Sequence, residues 1–115
     1  MVRDPRDMPI VFARTFNERD LEGLVRLYTD DAVLVPDGVS EVRGAGIRQA
    51  LEGFLALPGP MKITMKRAVI GLEHAVLVNE WSLPNGMSGT TNEVLVRTGD
   101  GGWRFTIDAP FGLKG

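Results

Sequence analysis

Apolar positions recur at two different periods along this chain, and the change of period divides it in two. Up to Leu57 the spacing is near four. Met8, Val11, Phe12, Thr15 and Phe16 fall at helical spacing and predict a first helix ending near Asn17. Asp4-Pro5 offers a cap and a first-turn proline, but Pro9 would then remove a bond inside the helix, so the firm start is set near Met8 or Pro9. Leu21, Leu24, Val25 and Tyr28 fall at i, i+3, i+4 and i+7, the apolar face of a second helix with Asp20 as its cap. Thr29-Asp30-Asp31 ends that helix, and Ala32 to Val35 reads as a buried strand stopped by Pro36-Asp37-Gly38. Val39 to Arg43 has the length of a short edge strand. Gly44-Ala45-Gly46 opens a third helix with Ile47, Leu51, Phe54 and Leu55 on one face, and Leu57-Pro58-Gly59-Pro60 ends it.

From Met61 the period is two. Met61, Ile63 and Met65 alternate with Lys62, Thr64 and Lys66, as a half-exposed strand requires. Gly71 to His74 reads as a turn into a second strand, Ala75 to Leu83, and Pro84-Asn85-Gly86 is a hairpin signal because Asn-Gly tolerates positive φ. Thr90 to Thr98 is a third long strand, Gly99-Asp100-Gly101-Gly102 a turn, and Trp103 to Ala109 the last strand. Helices followed by hairpin-linked strands predict an α+β fold, with about three helices laid on one face of a curved antiparallel sheet. A length of 115 residues fits a single domain over 1–115.

Composition narrows the function classes. A net charge of −2 provides no basic footprint for nucleic acid or an anionic membrane. No apolar run is long enough to cross a bilayer, and the charged start at Arg3, Asp4, Arg6 and Asp7 does not read as a secretory signal. The chain has no cysteine, which excludes disulfides and thiolate chemistry and fits a cytoplasmic setting. With one histidine, His74, no histidine-rich or thiolate metal site is expected, and no acidic cluster has calcium-loop spacing. Ser40, Ser82 and Ser88 have no base partner for nucleophilic catalysis, and Gly99 to Gly102 joins two strands rather than opening a phosphate-binding helix.

Phe16-Asn17, Asp20 to Leu24, Leu27 to Ala32, Pro36-Asp37-Gly38, Arg43-Gly44 and Ile47-Arg48 together resemble the opening of the nuclear transport factor 2-like superfamily, which includes ketosteroid isomerase and the SnoaL-like polyketide cyclases. The ending, Gly101 to Gly112, is similar to the last strand of a SnoaL-like branch of mostly unassigned function. The resemblance implies a cone with a cystatin-like fold: a strongly bent sheet, helices closing its concave side, and an apolar pocket between them. It also implies dimerisation through the outer face of the sheet. For activity it implies little, because isomerases, cyclases, hydrolases and binding domains share this scaffold. The ketosteroid isomerase pattern itself is not met. Phe12 stands at its tyrosine donor position, Pro36 precedes Asp37 where its base should be, and Val94 lies near its second aspartate, so steroid isomerisation is not expected.

The remaining polar candidates have plain readings beside the functional ones. Asp37 is either a displaced general base at the pocket mouth or a turn residue of Pro-Asp-Gly. Strict alternation turns Asp108 outward, where it could pair with Arg97 or Arg104 across a dimer; a bulge would turn it into the pocket. Asn79 and Asn92 either orient a small polar ligand or satisfy backbone groups. Phe12, Phe16, Phe54 and Met65 are at core spacing. The expected pocket is lined by Phe12, Phe16, Tyr28, Val35, Asn79, Trp81, Asn92, Val94, Ile107 and Phe111, with Asp37 or Asp108 supplying any proton acceptor. Two readings follow: cofactor-free acid–base catalysis on a small apolar or ring-shaped substrate, or a non-catalytic module that binds a hydrophobic ligand or dimerises. Apolar residues on both strand faces (Leu77 and Val78, Val94 and Leu95) predict a homodimer, which would cover Val76, Val78 and Leu95.

Overall fold

In the computed structural model, which describes Met1–Gly115, the helices form where the apolar faces and caps lead them to. A short 3-10 turn (Pro5–Asp7), capped by Asp4, leads into α1 (Met8–Asn17). Asp20 accepts from the Gly23 backbone N–H at 2.9 Å and opens α2 (Leu21–Val25). That helix is one turn long, shorter than the sequence pattern predicts. Tyr28 is not on it but begins β1 (Tyr28–Leu34), and Thr29, Asp30 and Asp31 belong to the strand. The period could not reveal this, because the first residue of a strand entering the same core points inward just as position i+7 of a helix does. Leu27 already accepts from the Phe105 backbone N–H at 2.8 Å, so the chain has joined the sheet by that point.

The β2 pair Val42–Arg43 runs antiparallel to β1, and α3 (Ala45–Leu55) starts after Gly44, whose φ of 57° favours glycine. Strands β3 (Lys62–Ile70), β4 (His74–Ser82), β5 (Ser88–Thr90), β6 (Asn92–Arg97) and β7 (Trp103–Ala109) follow. They form an open seven-stranded sheet in the order β2-β1-β7-β6-β4-β3, with β5 also paired to β4. Neighbours are antiparallel except β1 and β7, which are parallel, so the sheet is mixed. No helix is long and apolar enough to cross a membrane.

Two irregularities decide which residues face inward. In β3 the register slips between Met65 and Arg67, so Met61 and Ile63 face the core before it and Ala68 and Ile70 after it, while Met65, at the edge of the slip, is 38% exposed. Met65 is therefore not a core residue. In β7 the partners of Val94 and Leu95 are Ile107 and Phe105, which leaves Thr106 as an extra residue. Trp103 and Phe105 face in before this bulge and Asp108 after it, while Ile107 is 38% exposed on the outer face.

The helices lie on the inner face. Phe12 of α1 meets Phe105 edge-on at 6.0 Å, Phe16 meets Phe54 of α3 at 5.6 Å, and Phe54 meets Trp81 of β4 at 5.4 Å. Edge-to-face pairs of this kind add to area burial and fix the helices at defined positions on the sheet. The far wall is tied down differently. Trp81 donates its indole N–H to the Pro110 carbonyl at 2.6 Å and packs on Phe111, which brings the chain after β7 across the end of β4. Gly89, opposite Trp81 in β5, makes room for that crossing: a Cβ there would stand 2.7 Å from the Pro110 oxygen and 2.8 Å from the indole nitrogen.

A Gly89→Ala substitution is therefore expected to destabilise the protein by about 1–3 kcal/mol, the usual cost of overpacking. Urea unfolding followed by tryptophan fluorescence reads it. An unchanged midpoint and emission maximum would show that the Trp81–Pro110 wall is not fixed as described.

Candidate active site

Between α1, α3 and the inner face of the sheet lies a cavity of about 240 Å³. Phe12, Phe54, Leu57, Met61 and Ile63 are among its apolar lining residues, with Trp81 and Phe111 toward the chain after β7. Its polar groups come from the strands (Tyr28, Asn79, Glu93 and Asp108) and from Thr91 between β5 and β6. No lysine, arginine or histidine lines it.

Glu93 and Asp108 are direct partners across β6 and β7, and both face this cavity. Residues paired in this way hold their Cβ atoms about 4.5–5.5 Å apart, within easy electrostatic reach. Glu93 is 6% exposed and Asp108 5%. Tyr28 donates its hydroxyl to Asp108 Oδ2 at 2.5 Å, and Asn79 Nδ2 is 3.1 Å from each Glu93 oxygen. Asn79 is held in turn by β5–β6 chain geometry: its backbone N–H donates to Thr91 Oγ1 at 3.0 Å, and the Thr91 N–H donates to the Asn79 carbonyl at 2.8 Å.

Burial without a cationic partner favours the neutral form of both acids. Desolvation, then the charge of Asp108, push Glu93 up to about 8 against the opposing hydrogen bonds of Thr91 and Asn79. Desolvation raises Asp108 to about 6, opposed by the Tyr28 hydroxyl. Burial and the same carboxylate hold the Tyr28 proton well above the ordinary phenol range. Two acids this close titrate as a pair, and near neutrality the pair retains about one proton.

Of the residues expected from the sequence, Phe12, Tyr28, Asn79, Trp81, Phe111 and Asp108 meet around this cavity. The bulge at Thr106 turns Asp108 inward, so no pairing with Arg97 or Arg104 across a dimer arises. The same bulge turns Ile107 outward, away from the expected pocket. Asn92 and Val94 are also displaced from it, because Glu93 and Leu95 are the inward set of their strand, with Thr91 just before it. Leu95, expected on the outer face, is fully buried. Phe16 is buried behind the cavity against Phe54 and beneath the Arg19 guanidinium, and Val35 is buried outside its lining. Asp37 lies outside the lining as well. Its carboxylate accepts from the Ser40 hydroxyl at 2.7 Å, the Ser40 N–H at 2.6 Å and the Val39 N–H at 2.8 Å, bonds that hold it down at about 2. An exposed carboxylate so engaged stabilises its turn and is a poor base.

Glu93 is the residue that sequence reasoning missed. The hairpin held the signal. Trp81 pairs with Gly89 and Leu77 with Glu93, so odd-numbered residues face one way on both arms. Once Asn79 and Trp81 are placed inward, Thr91, Glu93 and Leu95 must follow. Glu93, beside Val94, supplies the second carboxyl of the cavity, and Tyr28, rather than Phe12, supplies the hydroxyl.

The profile of the SnoaL-like domain matches residues 11–109. No curated protein matches the chain. Among solved structures, a putative calcium/calmodulin-dependent protein kinase type II association domain from Thiobacillus denitrificans aligns with a TM-score of 0.77 at 14% identity, over 96% of this chain and 97% of that one. An NTF2-like protein of unknown function from Pseudomonas putida aligns with a TM-score of 0.64 at 17% identity, over 90% and 80%. A ketosteroid isomerase-like protein from Erwinia carotovora atroseptica aligns with a TM-score of 0.62 at 21% identity, over 87% and 86%. At such identities these likenesses speak for the fold, which is the NTF2-like, cystatin-like arrangement of helices on an open sheet. With a profile match running from α1 to the last residue of β7, the chain belongs to the SnoaL-like family.

Proposed function

We propose that this protein is a cofactor-free acid–base enzyme acting on a small, apolar, ring-shaped molecule. The observation that carries the reading is the Glu93–Asp108 pair facing a cavity with mostly apolar walls and no cation. The pair keeps about one proton near neutral pH, and the Tyr28 hydroxyl donated to Asp108 favours the ionised form there, which leaves that proton on the Glu93 side. Tyr28 occupies Asp108 Oδ2, which leaves Oδ1 to accept a proton from a carbon acid in the cavity. Glu93 is placed to return a proton to the same molecule, and the dry walls strengthen both transfers. A cavity of about 240 Å³ is smaller than the ~300–1,000 Å³ that encloses a drug-sized ligand, so one ring or a fused pair suits it.

The outer face supports a homodimer. Val69, Val76, Val94 and Ile107 are successive partners across β3, β4, β6 and β7, an apolar row with no helix over it. Val69 is 54% and Val76 45% exposed, and a second copy of the chain would cover both. The lack of cysteine is consistent with a cytoplasmic protein.

The catalytic reading has a test that does not require the natural substrate. Base-promoted ring opening of 5-nitrobenzisoxazole, a neutral bicycle, should proceed and should accelerate as pH rises through about 6. Asp108→Asn should slow it on the order of 100-fold, the usual worth of a positioned base. Equal turnover by wild type and variant, or none above that of free acetate, removes the acid–base reading and leaves ligand binding.

Stability should also depend on pH in an unusual direction. Both acids have folded values above their ordinary ones, so their contribution is complete below about 4 and is lost as pH rises through about 6 and then 8. The melting temperature should fall from about pH 5 to 9 in wild type, and Glu93→Gln should flatten that fall. Parallel curves for the two proteins would contradict it.

Light scattering at micromolar concentration should return twice the 12.6 kDa of one chain, and Val76→Asp should return a monomer. A wild-type monomer would overturn the dimer.

A further inference from the structure

The hydrogen-bonding capacity left over in the cavity is one-sided. The Tyr28 hydroxyl is engaged by Asp108 Oδ2, the Asn79 amide N–H by Glu93, and the Trp81 indole N–H by the Pro110 carbonyl. The Thr91 hydroxyl, whose oxygen accepts from the Asn79 backbone N–H, favours the ionised form of Glu93. Apart from the proton held by the acid pair, no side-chain donor is free. What remains free is acceptor. Asp108 Oδ1 has no protein partner, and unlike a fully enclosed atom it is reachable from the cavity that Asp108 lines. Asn79 Oδ1, on a side chain only 1% exposed, also lacks a partner.

We infer that the cavity takes as ligand a small protonated amine carried on a ring, whose ammonium sits at Asp108 Oδ1 beside Glu93 and whose ring lies among Phe12, Phe54 and Trp81. Donor count, charge and walls converge on this chemistry. A primary ammonium has three donors and no acceptor, the complement of what is free. Carboxylates and phosphates meet two acids and no cation, so the site rejects them. A hydroxyl could supply one donor but leaves the acid pair without a counter-charge, whereas an ammonium provides that charge where desolvation makes it most effective. Aromatic faces beside the acids add to the attraction for a cation.

The ammonium replaces the proton that the acid pair otherwise holds. The groups facing that pair are Tyr28 from β1, Asn79 from β4 and Thr91 before β6; the apolar residues of α1 and α3 add no charge. Tyr28 stays protonated, so only the pair titrates in the working range. Binding at neutral pH therefore expels a proton, and affinity rises with pH until the pair is fully ionised or the amine itself loses its charge.

The inference uses the same cavity as the catalytic proposal but requires no turnover. Calorimetry on the whole chain with benzylamine, benzyl alcohol and benzoate tests it at about pH 7.5 in phosphate and in Tris. Benzylamine is expected to bind about tenfold more tightly than benzyl alcohol, the worth of a hydrogen bond to a charged group, and benzoate not at all. The two buffers should differ in heat by the release of roughly half to one proton per site, as the pair retains about one proton at that pH. Asp108→Asn should reduce benzylamine to the affinity of the alcohol. Should that variant fail to fold, weaker wild-type binding of benzylamine at about pH 5.5 than at 7.5 supplies the same evidence. Benzyl alcohol binding as well as benzylamine, or benzylamine binding with no proton released, would overturn the inference. Benzisoxazole turnover without amine preference defeats this inference alone, and amine preference without turnover defeats only the catalytic one.

Discussion

Two carboxyl groups facing each other in an apolar interior, with no cation beside them, constrain everything around them. Their repulsion and desolvation disfavour a second charge, so the pair must share a proton, and the surrounding groups are arranged for that state. Tyr28 donates to one acid and Asn79 to the other, each from a neighbouring strand, so neither acid is without a partner. Apolar walls from the helices keep the pair dry. Remove the dryness and the raised affinities for protons vanish; remove the donors and the burial becomes too costly.

That arrangement depends on one extra residue. Without Thr106 as a bulge, β7 would continue its alternation, Ile107 would complete the apolar floor and Asp108 would face outward. The bulge exchanges them while leaving Trp103 and Phe105 in the core. The segment after β7 is then fixed by the Trp81–Pro110 hydrogen bond and by the close approach that Gly89 permits, so the strand end carrying Asp108 is held from both sides.

The architecture was legible because helix faces, caps and hairpin signals agree along the chain; Asp20, Leu57-Pro58 and Asn85-Gly86 each mark a boundary that the structure keeps. The site was legible only in part. Phe12, Asn79 and Trp81 lie on elements with regular periodicity, and their inward direction follows from it. Asp108 and Ile107 lie beyond the register slip of β7, where counting by two reverses its meaning and nothing local marks the slip. Tyr28 was placed on a helix because a buried residue satisfies either period at a helix–strand junction. Glu93 stands between Asn92 and Val94 in a strand with valines on its outer face, so hydrophobicity alone could not tell inside from outside.

That ambiguity has a physical origin in the two-sided burden on β6 and β7. Their inner faces carry Glu93 and Asp108, which destabilise the strands that hold them. The residues directly adjacent in sequence, Val94 and Ile107, face outward and are cross-strand partners in the row that begins at Val69. Covering that row, as the proposed dimer would, stabilises the same two strands from the opposite side, at the positions where the acid pair weakens them. β-branched pairs in register also hold strand alignment, and alignment keeps Glu93 opposite Asp108. Apolar residues on the outer face and acids on the inner one are thus two halves of one requirement. A sheet whose inner face must hold two uncompensated acids needs stabilisation from elsewhere, and the in-register β-branched pairs on the outer face of these strands contribute to it.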